Sequence, residues 1–208
     1  MARELPMFPL GTVLFPHAVL PLHVFEPRYR ALVERCLAGE PEFGVVLIER
    51  GSEVGGGDTR FDVGTVARIV QGAELPDGRY LLVTVGTERV RVDEWLPDDP
   101  YPRAVVEDAV DAASGDATEV RDDVQRALVR VLALRAELGE PNPVDDVTAI
   151  ALDADPSRAS FEAAALAPLT PLDAQRLLEL DDATARLTQL AALLHEEAGV
   201  LEHRLASG

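Results

Sequence analysis

The strongest constraint on the fold is a change in the chain's character near residue 110. Nine of the ten aromatic residues lie between Phe8 and Tyr101, and only Phe161 comes later. Before the break, short apolar runs rich in Val are punctuated by Gly and Pro, as strands and turns demand. After it the chain is rich in Ala and Leu, which favour helix. Between the two lies 111-DAASGDA-117, small, polar and acidic, which suits a linker or an exposed turn. Two units are therefore expected, residues 1–115 and 116–208. A chain of this length buries about 70% of its unfolded surface, so neither disulfides nor a metal is needed to hold it.

In the first unit the candidate strands are Leu5–Phe8, Val19–Phe25, Phe43–Ile48, Val63–Glu74, Tyr80–Val85, Glu88–Trp95 and Ala104–Val110. The triplet 76-PDG-78 between two of these runs signals a hairpin. In 88-ERVRVDEW-95, Val90 and Val92 alternate with Arg89, Arg91 and Asp93, the period of a half-buried strand. One helix interrupts the strands: Pro27 suits its first turn, and Tyr29, Leu32, Val33, Cys36 and Leu37 recur at helical spacing before Gly39. Many short strands with one early helix predict a partly closed sheet or small barrel.

The second unit reads as four or five helices. The first spans about Thr118 to Leu138, with Val124, Leu128, Val131 and Leu132 on one side. Pro143, Pro156 and Pro171 each look like a helix opening. Asp155 and Thr170 stand where N-caps belong, and 170-TPLD-173 has the capping-box spacing. The last helix follows Asp181 and carries Leu187, Leu190, Leu194, Leu201 and Leu205. Short connections predict a compact antiparallel bundle.

Charge removes whole classes of function. All 19 basic side chains are Arg, and no Lys occurs, so Schiff-base chemistry, a Ser–Lys dyad and a P-loop lysine are excluded for these residues. The net charge of −18 opposes any surface that tracks phosphates, so no nucleic-acid and no membrane partner is expected. One cysteine, Cys36, excludes an internal disulfide. The opening Met-Ala-Arg-Glu-Leu-Pro is unlike a secretory signal, and no apolar run approaches the about 18 residues of a membrane span; a soluble, cytoplasmic protein is expected.

A census of chemical motifs finds no catalytic set. His195-Glu196-Glu197-Ala198-Gly199 begins like a zinc-protease helix, but the second histidine is replaced by Gly199. His17 and His23 have no cysteine or dense acid cluster beside them, so no metal is expected. Cys36 falls on the inward stripe of its helix, where a thiol is a small core residue rather than a nucleophile. None of Ser52, Ser114, Ser157, Ser160 and Ser207 sits in a G-x-S-x-G elbow. The loop 55-GGG-57 leads into a strand-like run, not a helix, so it lacks the amides of a phosphate cradle. No cofactor is expected.

The stretch 8-FPLGTVLFPHAVLPLHVFEPRYRALVERC-36 resembles the Lon N-terminal (substrate-binding) domain family. Similar segments follow in the family's order: 43-FGVVLI-48, 62-DVGTVARIVQGAELPDGRYLLVTVGTERVRV-92, 101-YPRAVVE-107, and the helical 169-LTPLDAQRLLELDDATARLTQLAALLHEE-197. The F-E-P-R-Y-R form is most similar to the stand-alone bacterial and RING-associated members, and a member without ATPase or protease modules is expected. The resemblance implies an α+β fold, a PUA-like pseudo-β-barrel with one early helix followed by an α-helical bundle. It also implies a non-enzymatic module that binds unfolded or partly unfolded polypeptides through exposed apolar segments, alone or in the service of a protease or chaperone. The alternative is a small-molecule sensor with a closed pocket in the barrel.

Within the signature, Phe15, Pro16, Leu20, Pro21, Leu22, Phe25, Glu26, Arg28, Tyr29 and Arg30 are expected to hold the sheet to its helix. Leu20, Leu22 and Val24 share one strand face while Pro21 and His23 share the other, and Glu26 can pair with Arg28 or Arg30 at the helix entry. For substrate contact the candidates are Trp95, Tyr101 and Arg103, because aromatic and Arg side chains dominate binding hot spots. A groove between barrel and bundle, or a sheet edge, is the expected place.

Overall fold

The computed structural model describes residues 2–51, 59–112 and 115–207. The glycine loop 55–57, Ser52 and Ser114 lie outside the described residues. The chain forms two compact units, Met1–Val110 and Asp111–Gly208, and the described elements are mixed α+β: six strands in one sheet and five α-helices.

In the first unit the order is β1 (Arg3–Leu10), β2 (Val19–Val24), α1 (Pro27–Leu37), β3 (Glu42–Arg50), β4 (Thr59–Glu74), β5 (Tyr80–Leu96) and β6 (Arg103–Asp108). Spatially the strands run β2-β5-β4-β3-β1-β6, and β6 returns to pair with β5. Five strands thus close into a ring with β2 alongside. Only the β1–β3 pair is parallel. The length of β5 makes this closure possible. Tyr80–Val85 pair with β2 and Val90–Leu96 pair with β6, while β4 lies against both halves. β5 therefore replaces the two strands expected at Tyr80–Val85 and Glu88–Trp95. At the junction the Phe15 carbonyl approaches Gly86 so closely that a Cβ there would lie 2.3 Å from its oxygen. The missing side chain lets the strand continue beneath the incoming loop.

Pro27 opens α1, as its fixed φ favours. Tyr29, Leu32, Val33 and Cys36 are buried along one stripe, whereas Leu37 falls off it and is exposed. They join Phe8, Leu14, Val24, Phe43, Val45, Leu82 and Tyr101 in one apolar cluster. A second cluster gathers Leu5, Met7, Val46, Val66, Val90, Val92, Ala104 and Val106, with Trp95 half-buried against it.

The second unit holds α2 (Thr118–Glu137), α3 (Pro156–Leu166), α4 (Pro171–Glu179) and α5 (Ala183–Ser207). Val124, Leu128, Val131 and Leu132 of α2 are buried, as are Leu187, Leu190, Leu194 and Leu201 of α5. Asp155 accepts the Arg158 amide at 2.9 Å and Thr170 accepts the Asp173 amide at 3.2 Å, caps that typically contribute about 1 kcal/mol each. The helix expected at Pro143 does not form. Asp146 instead accepts the Thr148 amide at 2.9 Å and caps a single 3-10 turn, Val147–Ala149. Nor is the start of the acidic segment a loose linker. The Ala112 amide donates to the Asp181 carbonyl at 2.7 Å, and the Asp111 carboxylate accepts from Ser157 Oγ at 2.5 Å.

Candidate functional site

The family-like signature occupies β2 and the start of α1, and its two strand faces have different fates. Val24 is buried and Leu20 and Leu22 half-buried, while Val19, Pro21 and His23 are exposed. Pairing fixes what lies beside the outward residues. His23 lies opposite Leu81, which lies opposite Ala73; Pro21 lies opposite Val83, which lies opposite Gln71. Val19, Val85 and Arg68 form the next row, and Arg68 Nε donates to Glu42 Oε1 at 2.8 Å. Residues in register share a face. The outside of β2-β5-β4 therefore carries an apolar patch bordered by His23, Gln71 and Arg68, with Val19 63% and Leu81 47% exposed. A half-solvated antiparallel sheet ordinarily turns polar residues outward, and a contiguous exposed apolar patch marks an interaction site.

Two hollows meet at β2. One, about 460 Å³, is lined by Pro21, Leu22, His23, Gln71, Ala73, Leu81, Leu82 and Val83. The other, about 210 Å³, is lined by Phe8, Leu10, Pro21, Leu22, His23, Val24, Phe25, Glu26 and Tyr29. Both are open at the surface, grooves rather than enclosed chambers. Pro21, Leu22 and His23 belong to both. Phe25 is 52% exposed, with its ring 6.1 Å from that of His23 in an edge-on arrangement. Among the described strands β2 pairs with β5 alone, at the edge of the sheet, and Pro21 suits it because an edge tolerates a missing N–H.

The rest of the signature lies at the start of α1 and in the segment before β2. Arg28 Nε donates to Glu26 Oε2 at 3.2 Å, and its guanidinium lies 4.4 Å from the centre of the Tyr29 ring. Tyr29 stacks on Phe8 with centroids 4.0 Å apart. Phe15 and Pro16 are buried just before β2. The Arg30 guanidinium lies over Gly78 in the β4–β5 turn, where φ is +78°. Phe25 and Pro21, by contrast, face outward.

The sequence-based contact candidates are not gathered at one surface. Tyr101 is 9% exposed and packs in the cluster beneath α1. Trp95 Nε1 donates to Asp62 Oδ1 at 3.1 Å, and the Arg60 guanidinium caps its ring at 4.7 Å. Arg103 donates to Glu4 Oε1 at 3.1 Å. The outward apolar row was missed because its signal is split: the parity of 19-VLPLHV-24 is visible, but Leu81 and Ala73 join it only through strand pairing.

Chemical groups elsewhere are quiet. Burial pushes the Cys36 thiol up to about 11, and its Sγ lies 3.2 Å from the Glu42 carbonyl oxygen. His195 Nε2 lies 2.9 Å from Asp123 Oδ2, and that hydrogen bond holds the Asp123 carboxyl below its usual range. Among the described residues, no group of three or more His, Cys, Asp or Glu could hold a metal ion, and no helix is long and apolar enough to cross a membrane.

The family model for the substrate-binding domain of ATP-dependent protease La (Lon) matches residues 4–196. The chain belongs to the Lon substrate-binding domain family. Lon protease of Koribacter versatilis is 33% identical over 98% of the chain, and Lon protease of Escherichia coli K12 is 29% identical over 96%. The chain spans about a quarter of the length of these curated relatives. A Lon N-terminal domain protein from Xanthomonas campestris superposes with a TM-score of 0.64 at 29% identity, covering 91% of this chain and 98% of that one. The N-terminal domain of Mycobacterium avium complex Lon protease, 21% identical, shares the fold with a TM-score of 0.68 over 93% of this chain and 98% of that one. The mixed α+β fold and the family relationship implied by the signature both stand.

Proposed function

We propose that this chain is a non-enzymatic polypeptide-recognition module whose docking surface is the outward face of β2-β5-β4, with β2 at its edge. The observation that carries this reading is the outward apolar patch of exposed Val19, Pro21 and Leu81 with half-buried Val83 between them, flanked by Phe25, in a chain where 27% of residues are charged. Apolar area removed from water contributes roughly 25 cal/mol per Å². A shallow, largely apolar surface of this kind gains most from extended segments carrying Leu, Val or Phe, which unfolded proteins expose and folded ones hide. Open grooves suit a chain segment better than a small molecule, which favours enclosure on most sides. The description of the matched family as a substrate-binding domain supports the same reading. Delivery of the captured segment to a protease or chaperone is the natural extension.

The test is fluorescence anisotropy with a peptide carrying a Phe-Leu-Val core and Gly-Ser flanks. Leu81→Asp is expected to weaken binding at least about tenfold, because a carboxylate in the groove must shed water to accept an apolar partner. Its melting temperature should stay near that of the parent, since Leu81 is already half in water. Equal affinity of the two proteins for the peptide would refute the assignment.

A further inference from the structure

We infer that the segment bound at this face is taken up as an added strand, an extended, proline-free stretch of polypeptide hydrogen-bonded along the free edge of β2. The inference rests on the docking reading above and deepens it, from an apolar contact to a backbone register.

The register follows from the β4–β5 turn. The Leu75 amide donates to the Arg79 carbonyl at 2.7 Å, so Arg79 turns its backbone groups toward β4. Successive residues of a strand turn theirs to opposite sides. Leu81 and Val83 therefore also face β4, while Tyr80, Leu82 and Thr84 face β2, opposite Val24, Leu22 and Leu20. Thr84 agrees, since its hydroxyl donates to the Leu20 carbonyl at 2.8 Å. The alternate residues Val19, Pro21 and His23 are left to point their backbone groups away from β5. All three are exposed, and among the described residues no strand pairs with that side. The free edge thus offers three carbonyls, from Val19, Pro21 and His23, and two amides, from Val19 and His23. Pro21 withholds the middle donor.

The two hollows fit the same occupant. The larger lies on the sheet face, with β5 and β4 in its lining. The smaller has no β5 or β4 residue and is closed by Phe8, Leu10 and Tyr29, so it lies off the free edge of β2. A strand laid there would send one parity of its side chains outward beside Val19, Pro21 and His23. The other parity would enter the smaller hollow beside the half-buried Leu20 and Leu22. At about 210 Å³ that hollow is below the roughly 300–1,000 Å³ of a small-molecule pocket, but it can receive an apolar side chain. A second copy of this chain suits the edge less well. Two β2 edges laid together would put Pro21 twice into one ladder, and two chains of net charge −18 repel each other.

The experiment uses the parent chain and five versions of the Gly-Ser-flanked Phe-Leu-Val peptide, one backbone amide methylated in each, the methyl stepping through five successive residues. An amide facing β2 loses its hydrogen bond and meets the strand with a methyl group, whereas one facing solvent loses little. Affinity by anisotropy should therefore alternate, falling at least about fivefold at every second position and less than about twofold between them. Amide exchange followed by NMR supplies a second readout. Peptide at saturation should slow the Val19 and His23 amides at least about tenfold, with smaller changes at Leu20, Leu22 and Val24, which already face β5. Methylation that weakens all five peptides alike, or none, overturns strand addition and leaves the docking face standing. Unchanged exchange at Val19 and His23 with the peptide bound does the same. An unmethylated peptide that fails to bind refutes the docking face itself, and strand addition with it. Concentration-dependent self-association that protects the same two amides without peptide would assign the edge to a second copy and overturn the proposal.

Discussion

The guanidinium of Arg186, fully buried on α5, closes on the carboxylate of Asp111, 75 residues earlier in the chain. Its other contacts complete a saturated site. Nε donates to Ser160 Oγ at 2.7 Å, Nη1 donates to the Leu180 carbonyl at 2.5 Å, and the guanidinium carbon lies 3.8 Å from the centre of the Phe161 ring. Removing one partner of a buried pair strands the other, which typically costs about 3–5 kcal/mol, whereas replacing both by apolar groups restores much of the loss. Asp111→Ala is thus expected to lower unfolding free energy by about that amount, and Asp111→Leu with Arg186→Met to recover part of it. Urea denaturation of the three proteins checks this. A single variant as stable as the parent would show that the pair is dispensable.

The thiol of Cys36 gives the fold a pH signature. Burial raises it from an ordinary value of 9.0 to about 11, so the folded state keeps a proton that the unfolded state has released. Stability is complete below about pH 9 and declines as the pH rises toward about 11, by at most about 3 kcal/mol once both states are ionised. Cys36→Ala lacks this decline, so the parent's stability relative to the variant should fall over that interval. At neutral pH the buried thiol should resist aromatic disulfide reagents until denaturant opens the unit, because the thiolate is the reactive form.

Two glycines on different elements should respond in opposite directions to one added methyl group. At Gly64 of β4 a Cβ would lie 2.2 Å from the Val45 carbonyl oxygen, a backbone atom of the neighbouring strand that cannot swing aside. Gly64→Ala should therefore cost at least about 2 kcal/mol, an overpacking penalty at the β3–β4 seam. Gly199 sits inside α5 with nothing within 4 Å of the position a Cβ would take. Gly199→Ala should stabilise by about 0.5–1 kcal/mol, the helical preference of alanine. Thermal unfolding of both variants checks the pair of signs.

Local rules made α1, the caps of α3 and α4 and the β4–β5 turn legible, because each depends on residues a few positions apart. Pro27 with its apolar stripe, Asp155 before Pro156, Thr170 before Asp173, and Gly78 at a positive φ all announce themselves. What sequence hid is non-local. Gly86 looks like a strand break until the Phe15 carbonyl is seen to need its missing side chain. Asp111 looks like linker composition until Arg186 arrives from α5. Pro143 has the look of a helix opening, but the chain forms only one 3-10 turn beyond it, capped by Asp146. The candidate docking face is hidden in the sequence for the same reason, since its rows are assembled from three strands.

Trp95 discriminates between two placements of the recognition surface. Its ring packs half-buried on the second apolar cluster, under the Arg60 guanidinium, with its N–H on Asp62. Those contacts hold β5 to the strands around it, and they do not include any residue lining the two β2 hollows. Trp95→Ala should therefore lower stability by about 2 kcal/mol through lost packing, less than for a fully buried tryptophan. Its affinity for the Phe-Leu-Val peptide should stay within about twofold of the parent, since most interface energy resides in residues that touch the ligand. Phe25→Ser should do the reverse, weakening the peptide several-fold at little cost in stability, because its ring is already half in water. Measured together by anisotropy and urea denaturation, the two variants separate a docking face at β2 from one at Trp95. Loss of affinity in Trp95→Ala with Phe25→Ser unaffected would move the surface to the β5–β6 end of the barrel.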